Sequence, residues 1–255
     1  MKKLLFASDL DNTLLFSRRH SRPGDVCVEM LEGKEQGYFT PLTIARLREV
    51  NACMDFVPVT SRSVAQYRRI RFPAGCVPRW AVTTNGGLLL ENGEIDEAWQ
   101  AESLAEVAPW RGELERTEAL FQAQIVPHRG RMVDDLYVFA ACDDAADAHA
   151  LAAALMGRTE LEVAVSGRKV YCFPPPISKG HALERLRRRL GPAAVFAAGD
   201  TTMDVPMLLE ADAAAAPEAA LLAGFAGQKY LPREGEHFGE FVLRCALAFA
   251  GEKTQ

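Results

Sequence analysis

The 255-residue sequence contains no apolar run long enough to cross a bilayer. Its opening stretch, "MKKLLFASDLD", starts like a signal peptide but meets Asp9 after a few apolar residues, too soon for a signal h-region. Closely paired cysteines are also missing: the six thiols stand at positions 27, 53, 76, 142, 172 and 245. That spacing excludes a zinc ribbon and a C-x-x-C redox motif. Excess positive charge is absent as well. With 29 basic and 34 acidic residues and a net charge of −5, the chain lacks the surface that neutralises nucleic-acid phosphates. Its local basic runs, "YRRIRF" and "ERLRRRL", read as solvated helix faces. No internal repeat occurs, and no low-complexity tract beyond Ala-rich patches. These absences predict a cytoplasmic globular protein with reduced thiols, a monomer or homodimer, without nucleic-acid or membrane partners.

What is present alternates. "KLLFAS" (residues 3–8) predicts a strand buried on both faces. "TPLTIARLREVNA" (residues 40–52) predicts a helix with Thr40 at its N-cap and Pro41 in its first position. "MDFVPVTS" and "RWAVTTNGG" predict the second and third strands, and "KGHALERLRRRLG", "AAVFAAGD" and "DAAAAP" continue the rhythm, with a last helix over residues 237–250. Such alternation argues for a parallel sheet covered on both sides. Between residues 88 and 173 the texture changes to antiparallel strands around an Ala-rich helix at residues 145–155, with a turn at Ser166. The fold expected is therefore α/β, a Rossmann-like parallel-sheet core of residues 1–87 and 174–255, with an inserted α+β cap of residues 88–173. The prolines at 174–176 mark the return. Residues 26–40 predict a β-hairpin turning at Gly33, a candidate lid or dimer contact.

In open parallel sheets, ligands bind beyond the carboxyl ends of the strands. Four such ends carry polar residues: Asp9 and Asp11, Thr60 and Ser61, the 84–87 turn, and Asp200 and Asp204. Lys179 opens a helix directly after the insert. Asp9 and Asp11, two apart on extended chain, project to the same side. Turn and cap chemistry offers a plain alternative for each, since Asp and Thr favour helix N-termini, and Asp204 fits an N-cap. Four carboxylates converging at one edge, however, require a cation among them. Mg²⁺ suits such oxygens, and a lysine and several hydroxyls added to them suit a phosphoryl group.

"DLDNTL", "VTSR", "SKG" and "GDTTMD", in this order and at strand or helix ends, resemble the haloacid dehalogenase-like (HAD) superfamily of phosphatases. The "TTNGG" turn, the large insert and "DAAAAP" look like its Cof-type branch with an α/β cap, which includes sucrose-phosphate and mannosyl-phosphoglycerate phosphatases. The resemblance implies an Mg²⁺-dependent phosphomonoester hydrolase acting on a small phosphorylated metabolite, most plainly a sugar phosphate. It implies Asp9 as nucleophile and metal ligand, and Asp11 as general acid/base with its backbone carbonyl on the metal. Thr60 and the Ser61 backbone would hold the phosphoryl group, with Asn85 and Gly86 lining the pocket. Lys179 would neutralise charge, Asp200 would bind the metal, and Asp204 would bind it or orient its waters. Arg62 either reaches substrate or pairs on the surface. Arg129 and Arg131 read as a solvated loop, and His128 and His181 receive no role. Two departures stand out: Met203 replaces the branch's usual Asn before the last aspartate, and "APEA" replaces its "PNA"-like turn. A phosphomutase of the phosphomannomutase type, a phospho-acceptor switch and a non-catalytic phosphate binder remain as alternative readings.

Overall fold

Leu4–Ser8 (β1) is buried at every position and apolar up to Ser8, as expected of a strand with both faces covered. A computed structural model describes residues 3–124, 126 and 128–254. Two units emerge, one formed by the chain up to Ile95 and again from Lys179, the other by the stretch from Asp96 to Ser178.

In the first unit, β1 is followed by the short β2 (Phe16–Ser17) and the predicted hairpin, β3 (Val26–Leu31) and β4 (Lys34–Phe39). Glu32 and Gly33 both take positive φ, 51° and 74°, as a two-residue primed turn requires. Helix α1 (Pro41–Cys53) starts as its sequence dictates: the Thr40 hydroxyl accepts from Thr43 N at 3.0 Å, and Pro41 fills the first turn. β5 (Met54–Pro58) follows without a loop, then α2 (Val64–Tyr67) and β6 (Trp80–Thr83). β6 is not a full member of the parallel sheet. It touches the edge through one parallel bridge, Val59 with Val82, and pairs antiparallel with β7 (Leu88–Glu91), which pairs with β8 (Glu94–Ile95). Asn92 and Gly93, at φ 51° and 85°, close that second hairpin, so residues 88–95 stay with the first unit rather than opening the insert.

The second unit begins with α3 (Glu97–Val107) and α4 (Arg111–Gln122), which periodicity did not reveal. β9 (His128–Val133), β10 (Tyr137–Cys142), α5 (Ala145–Leu155), β11 (Glu162–Ser166) and β12 (Lys169–Phe173) complete it. The strands form an antiparallel sheet in the order β11-β12-β10-β9. Gly130 of β9 lies against Phe121 of α4, so that face, with Val138, Ala140 and Cys172, is covered by helix. The opposite face carries Tyr137, Phe139, Tyr171 and Phe173 in mutual ring contact. Arg129 and Arg131 are not in a loop. Both stand on β9, opposite Ala141 and Phe139, with the Arg131 guanidinium 5.9 Å from the Phe139 ring centre.

The chain returns to the first unit through α6 (Lys179–Leu190), β13 (Val195–Ala198), α7 (Val205–Leu209), β14 (Ala213–Ala215), β15 (Gln228–Tyr230) and α8 (Phe238–Thr254). The resulting sheet is parallel throughout, in the order β15-β14-β13-β1-β5. Phe6 stacks on Phe56 at 5.4 Å between ring centres and leans on Phe196, which meets Phe249 of α8. β1 is thus central, and its carboxyl end opens between two neighbours. No helix among the described residues is long and apolar enough to cross a membrane.

Candidate active site

The ladder places the first group of polar residues. Asp9 N donates to Ala198 O at 2.9 Å, and Val59 N donates to Ser8 O at 2.7 Å, so Asp9 leaves β1 between the ends of β13 and β5. Leu10 O then accepts from the backbones of Thr13, Leu14 and Leu15, a tight turn that Asn12 enters with φ 58°. The Thr13 hydroxyl, carried by this turn, reaches Asp200 Oδ1 at 3.3 Å.

Close approaches of backbone position the second group. A Cβ on Gly180 would lie 2.7 Å from Pro206 Cβ, so only glycine lets the start of α6 press onto α7. Lys179 is thereby buried at 2 % exposure, its Nζ donating to Asp9 Oδ1 at 2.6 Å and to Asp204 Oδ1 at 2.5 Å. Asp204 does not cap the helix it precedes. Its other oxygen, Oδ2, turns back and accepts from Asp200 N, Thr201 N and the Thr201 hydroxyl, at 3.1, 2.9 and 2.9 Å. Four protein donors therefore serve its two oxygens, the usual capacity of a carboxylate. Carboxylate oxygens of Asp9, Asp200 and Asp204 lie within 4.8 Å of one another.

Electrostatics follow from burial and this crowding. Burial lifts the Asp9 carboxyl well above the ordinary range; Lys179 opposes that shift, and the Asp204, Asp200 and Asp11 charges add to it. Burial and the Asp204 charge push Asp200 up to about 6, against the pull of Lys179 and the Thr13 hydroxyl. Lys179 moves upward despite its own burial, because Asp204 and Asp9 hold its charge. From the ordinary 3.8 of Asp200 up to about 6, the folded state holds more of its proton than the unfolded state does, so this group's contribution to stability falls as pH rises. Asp200→Asn is accordingly expected to raise the urea midpoint of metal-free protein more at about pH 8 than at about pH 5. Equal shifts at both pH values would contradict it.

The third group joins two loops. Thr60, fully buried, receives a hydrogen bond from Asn85 N at 3.0 Å, and Arg62 O receives one from Thr84 N at 2.7 Å. Thr84 and Asn85 both take φ 55°, and Gly86 takes 112°. Two successive non-glycine residues in the left-handed region cost about 1–3 kcal/mol each and mark a backbone held for a purpose. Ser61 is half-buried between these loops.

Arg62 is neither a surface pair nor an open arm. Its side chain is 12 % exposed and forks onto Asp11, Nε to Oδ2 at 2.8 Å and Nη2 to Oδ1 at 2.7 Å. Its outer edge meets Glu29 of β3. Burial alone would weaken the guanidinium's charge, but Asp11 and Glu29 outweigh it and shift Arg62 upward. Sequence reasoning missed Glu29, Thr13 and Gly199. Of these, Thr13, inside "DLDNTL", and Gly199, inside "GDTTMD", carried a legible signal.

No protein-family model matches the sequence, and no curated protein matches it by sequence. Solved structures do match over nearly the whole length. The sucrose-phosphatase of Synechocystis sp. PCC6803, solved with sucrose and phosphate, superposes with a TM-score of 0.65 at 16% identity, covering 98% of each chain. A HAD subclass IIB sugar phosphatase gives 0.61 at 13% identity, over 97% of this chain and 98% of that one. A haloacid dehalogenase-like hydrolase from B. subtilis gives 0.60 at 17% identity, over 97% and 99%. With its parallel sheet, its interrupting antiparallel unit and these likenesses, the chain has the haloacid dehalogenase-like fold.

Proposed function

We propose that the protein is a Mg²⁺-dependent phosphomonoester hydrolase acting on a small phosphorylated sugar through an aspartyl-phosphate on Asp9. The observation that carries this reading is the cluster of Asp9, Asp200 and Asp204 around Lys179 at the carboxyl end of the sheet. Its donors are hard oxygens, and burial, with the charges of the neighbouring carboxylates, raises the carboxyls of Asp9 and Asp200. That set fits Mg²⁺, held by Asp9, Asp200 and the Asp11 carbonyl. Asp204, whose oxygens already have protein donors, serves by fixing Lys179 and the Asp200 loop. When bound, the cation supplies charge that offsets the phosphoryl oxygens.

The chain's own residues carry the steps. An Asp9 oxygen attacks phosphorus, and the bond from phosphorus to the ester oxygen breaks as Asp11 gives that oxygen its proton. A water then attacks the aspartyl-phosphate, losing a proton to Asp11, and free phosphate leaves with Asp9 restored. Thr60, Ser61 N, Asn85 and Gly86 orient the phosphoryl oxygens, and Lys179 favours the ionised form of Asp9 and offsets developing charge. The similarity in fold to sugar phosphatases supports a sugar as the leaving group.

A phosphate-release screen over sugar, nucleotide and organic-acid monophosphates tests this, with Asp9→Asn as the blank. Mg²⁺-dependent release from sugar esters is expected, abolished by EDTA and lowered about 10³-fold or more in the variant. Release that survives Asp9→Asn would overturn the nucleophile, and no release from any ester would overturn the function.

A further inference from the structure

The hairpin β3–β4 brings one acidic side chain inward. Glu29 is only 3 % exposed at its side chain, although it stands on a strand whose apolar Val26, Met30 and Leu31 are exposed. The ladder is irregular on both sides of it, between Cys27 and Glu29 and between Glu29 and Met30, and such a bulge re-aims a side chain. Gly37 on β4 leaves room: a Cβ there would stand 3.1 Å from Glu29 Oε2 and 2.9 Å from Leu15 Cδ1. A bridge between Glu29 and Ile70, and a bond from Arg71 N to Val28 O at 2.7 Å, fasten the strand to the segment after α2.

The carboxylate so placed takes Arg62 from behind, from Nη1 at 2.9 Å and Nη2 at 3.0 Å, and Arg69 Nε donates to it at 3.0 Å. Arg62 presents its other edge to Asp11. A guanidinium is flat, so two carboxylates on two edges fix its plane, and the plane fixes the second carboxylate. Burying such a chain of charges is weakly stabilising at best, because desolvation offsets the attraction. Its buried end is Glu29; its other end, Asp11, is 43 % exposed.

Resting on the function proposed above, in which Asp11 exchanges the leaving group's proton, we propose that Glu29 is a positioning residue. It acts through Arg62 to fix the direction in which the Asp11 carboxylate is presented. Its effect falls on proton transfer and not on phosphoryl binding.

Leaving-group dependence tests this. 4-Nitrophenyl phosphate loses a weakly basic phenolate that needs no proton, whereas phenyl phosphate, nearly the same shape, loses a phenolate of pKa about 10. With Mg²⁺, Glu29→Gln is expected to lower kcat/KM about tenfold for phenyl phosphate and less than about threefold for 4-nitrophenyl phosphate. Glu29→Asp keeps the buried charge but withdraws it by one methylene, and should show the same bias to a smaller degree. It carries the comparison if thermal melts show that the Gln variant does not fold. Equal losses on both esters, or no loss on either, would overturn the positioning role. Wild-type protein releasing phosphate neither from these esters nor from the sugar, nucleotide and organic-acid esters would instead overturn the parent reading, and this inference with it.

Discussion

Lys179→Met is expected to unfold at a clearly lower urea concentration than the wild type in EDTA at about pH 8, a loss of about 3–5 kcal/mol. The reason is local. Lys179 is the cation held between the buried Asp9 and Asp204 carboxylates, and methionine fills its volume without its charge. Two unpaired anions then remain in a site from which water is largely excluded. Because Asp9, already raised by burial, can take up a proton, the loss should shrink at about pH 5, where protonation replaces the missing cation. Mg²⁺ should raise the melting temperature of the variant more than that of the wild type, since the ion is then the site's main positive charge. Phosphate release should fall about 10³-fold, as Asp9 loses the group that favours its ionised form. An unfolding midpoint equal to wild type at both pH values would sink the account.

Gly199→Ala is also expected to cost activity heavily, by a different route. The Cβ would land 2.2 Å from Asp204 Cβ and 2.5 Å from its Cγ, far inside van der Waals contact. Gly199 has no positive φ, so alanine is sterically allowed by the backbone and the whole cost lies in that collision. Asp204 must move, and its bonds to Asp200 N, Thr201 and Lys179 move with it. Overpacking of this kind costs about 1–3 kcal/mol or more, and phosphate release should fall about 100-fold. Gly33→Ala is the contrast: φ is +74° with nothing within 4 Å, so a turn is strained about 1 kcal/mol and the site is untouched. Activity retained in Gly199→Ala would show that Asp204 has freedom that its packing denies.

The elements that position the site were legible where local chemistry decides them. Thr40 with Pro41 announced α1, Gly33 announced the first hairpin, and the apolar runs announced β1, β5 and β13. Helices α3 and α4 escaped because each buries only three residues among many charges, Trp99, Ser103 and Val107 in one and Leu114, Thr117 and Phe121 in the other. The β7–β8 hairpin carried its Asn92–Gly93 signal, but that signal does not say to which unit the hairpin belongs. Arg129 and Arg131 lie in a strand with little apolar character, which period-two reading passes over. Within the site, the aspartates and Lys179 were readable as residue types at strand and helix ends. The Arg62 contacts were not, since Glu29 and Asp11 meet it over 33 and 51 residues of separation and a bulge decides the direction of Glu29.

The first unit is written in two pieces, and this fixes an order of events during synthesis. β1 lies between β5, made soon after it, and β13, made after the whole second unit. The link from Asp9 to Lys179 spans 170 residues. At about 5–20 residues per second, a ribosome adds that length only after tens of seconds at the slow end. The second unit, continuous in sequence, has all its strands available before Lys179 is joined to the chain. For that interval β1 keeps an open apolar edge, and the acidic cluster does not exist. The nascent chain therefore carries Asp9 without its lysine and without Asp200, so the centre assembles only after Lys179, Asp200 and Asp204 have been joined to the chain.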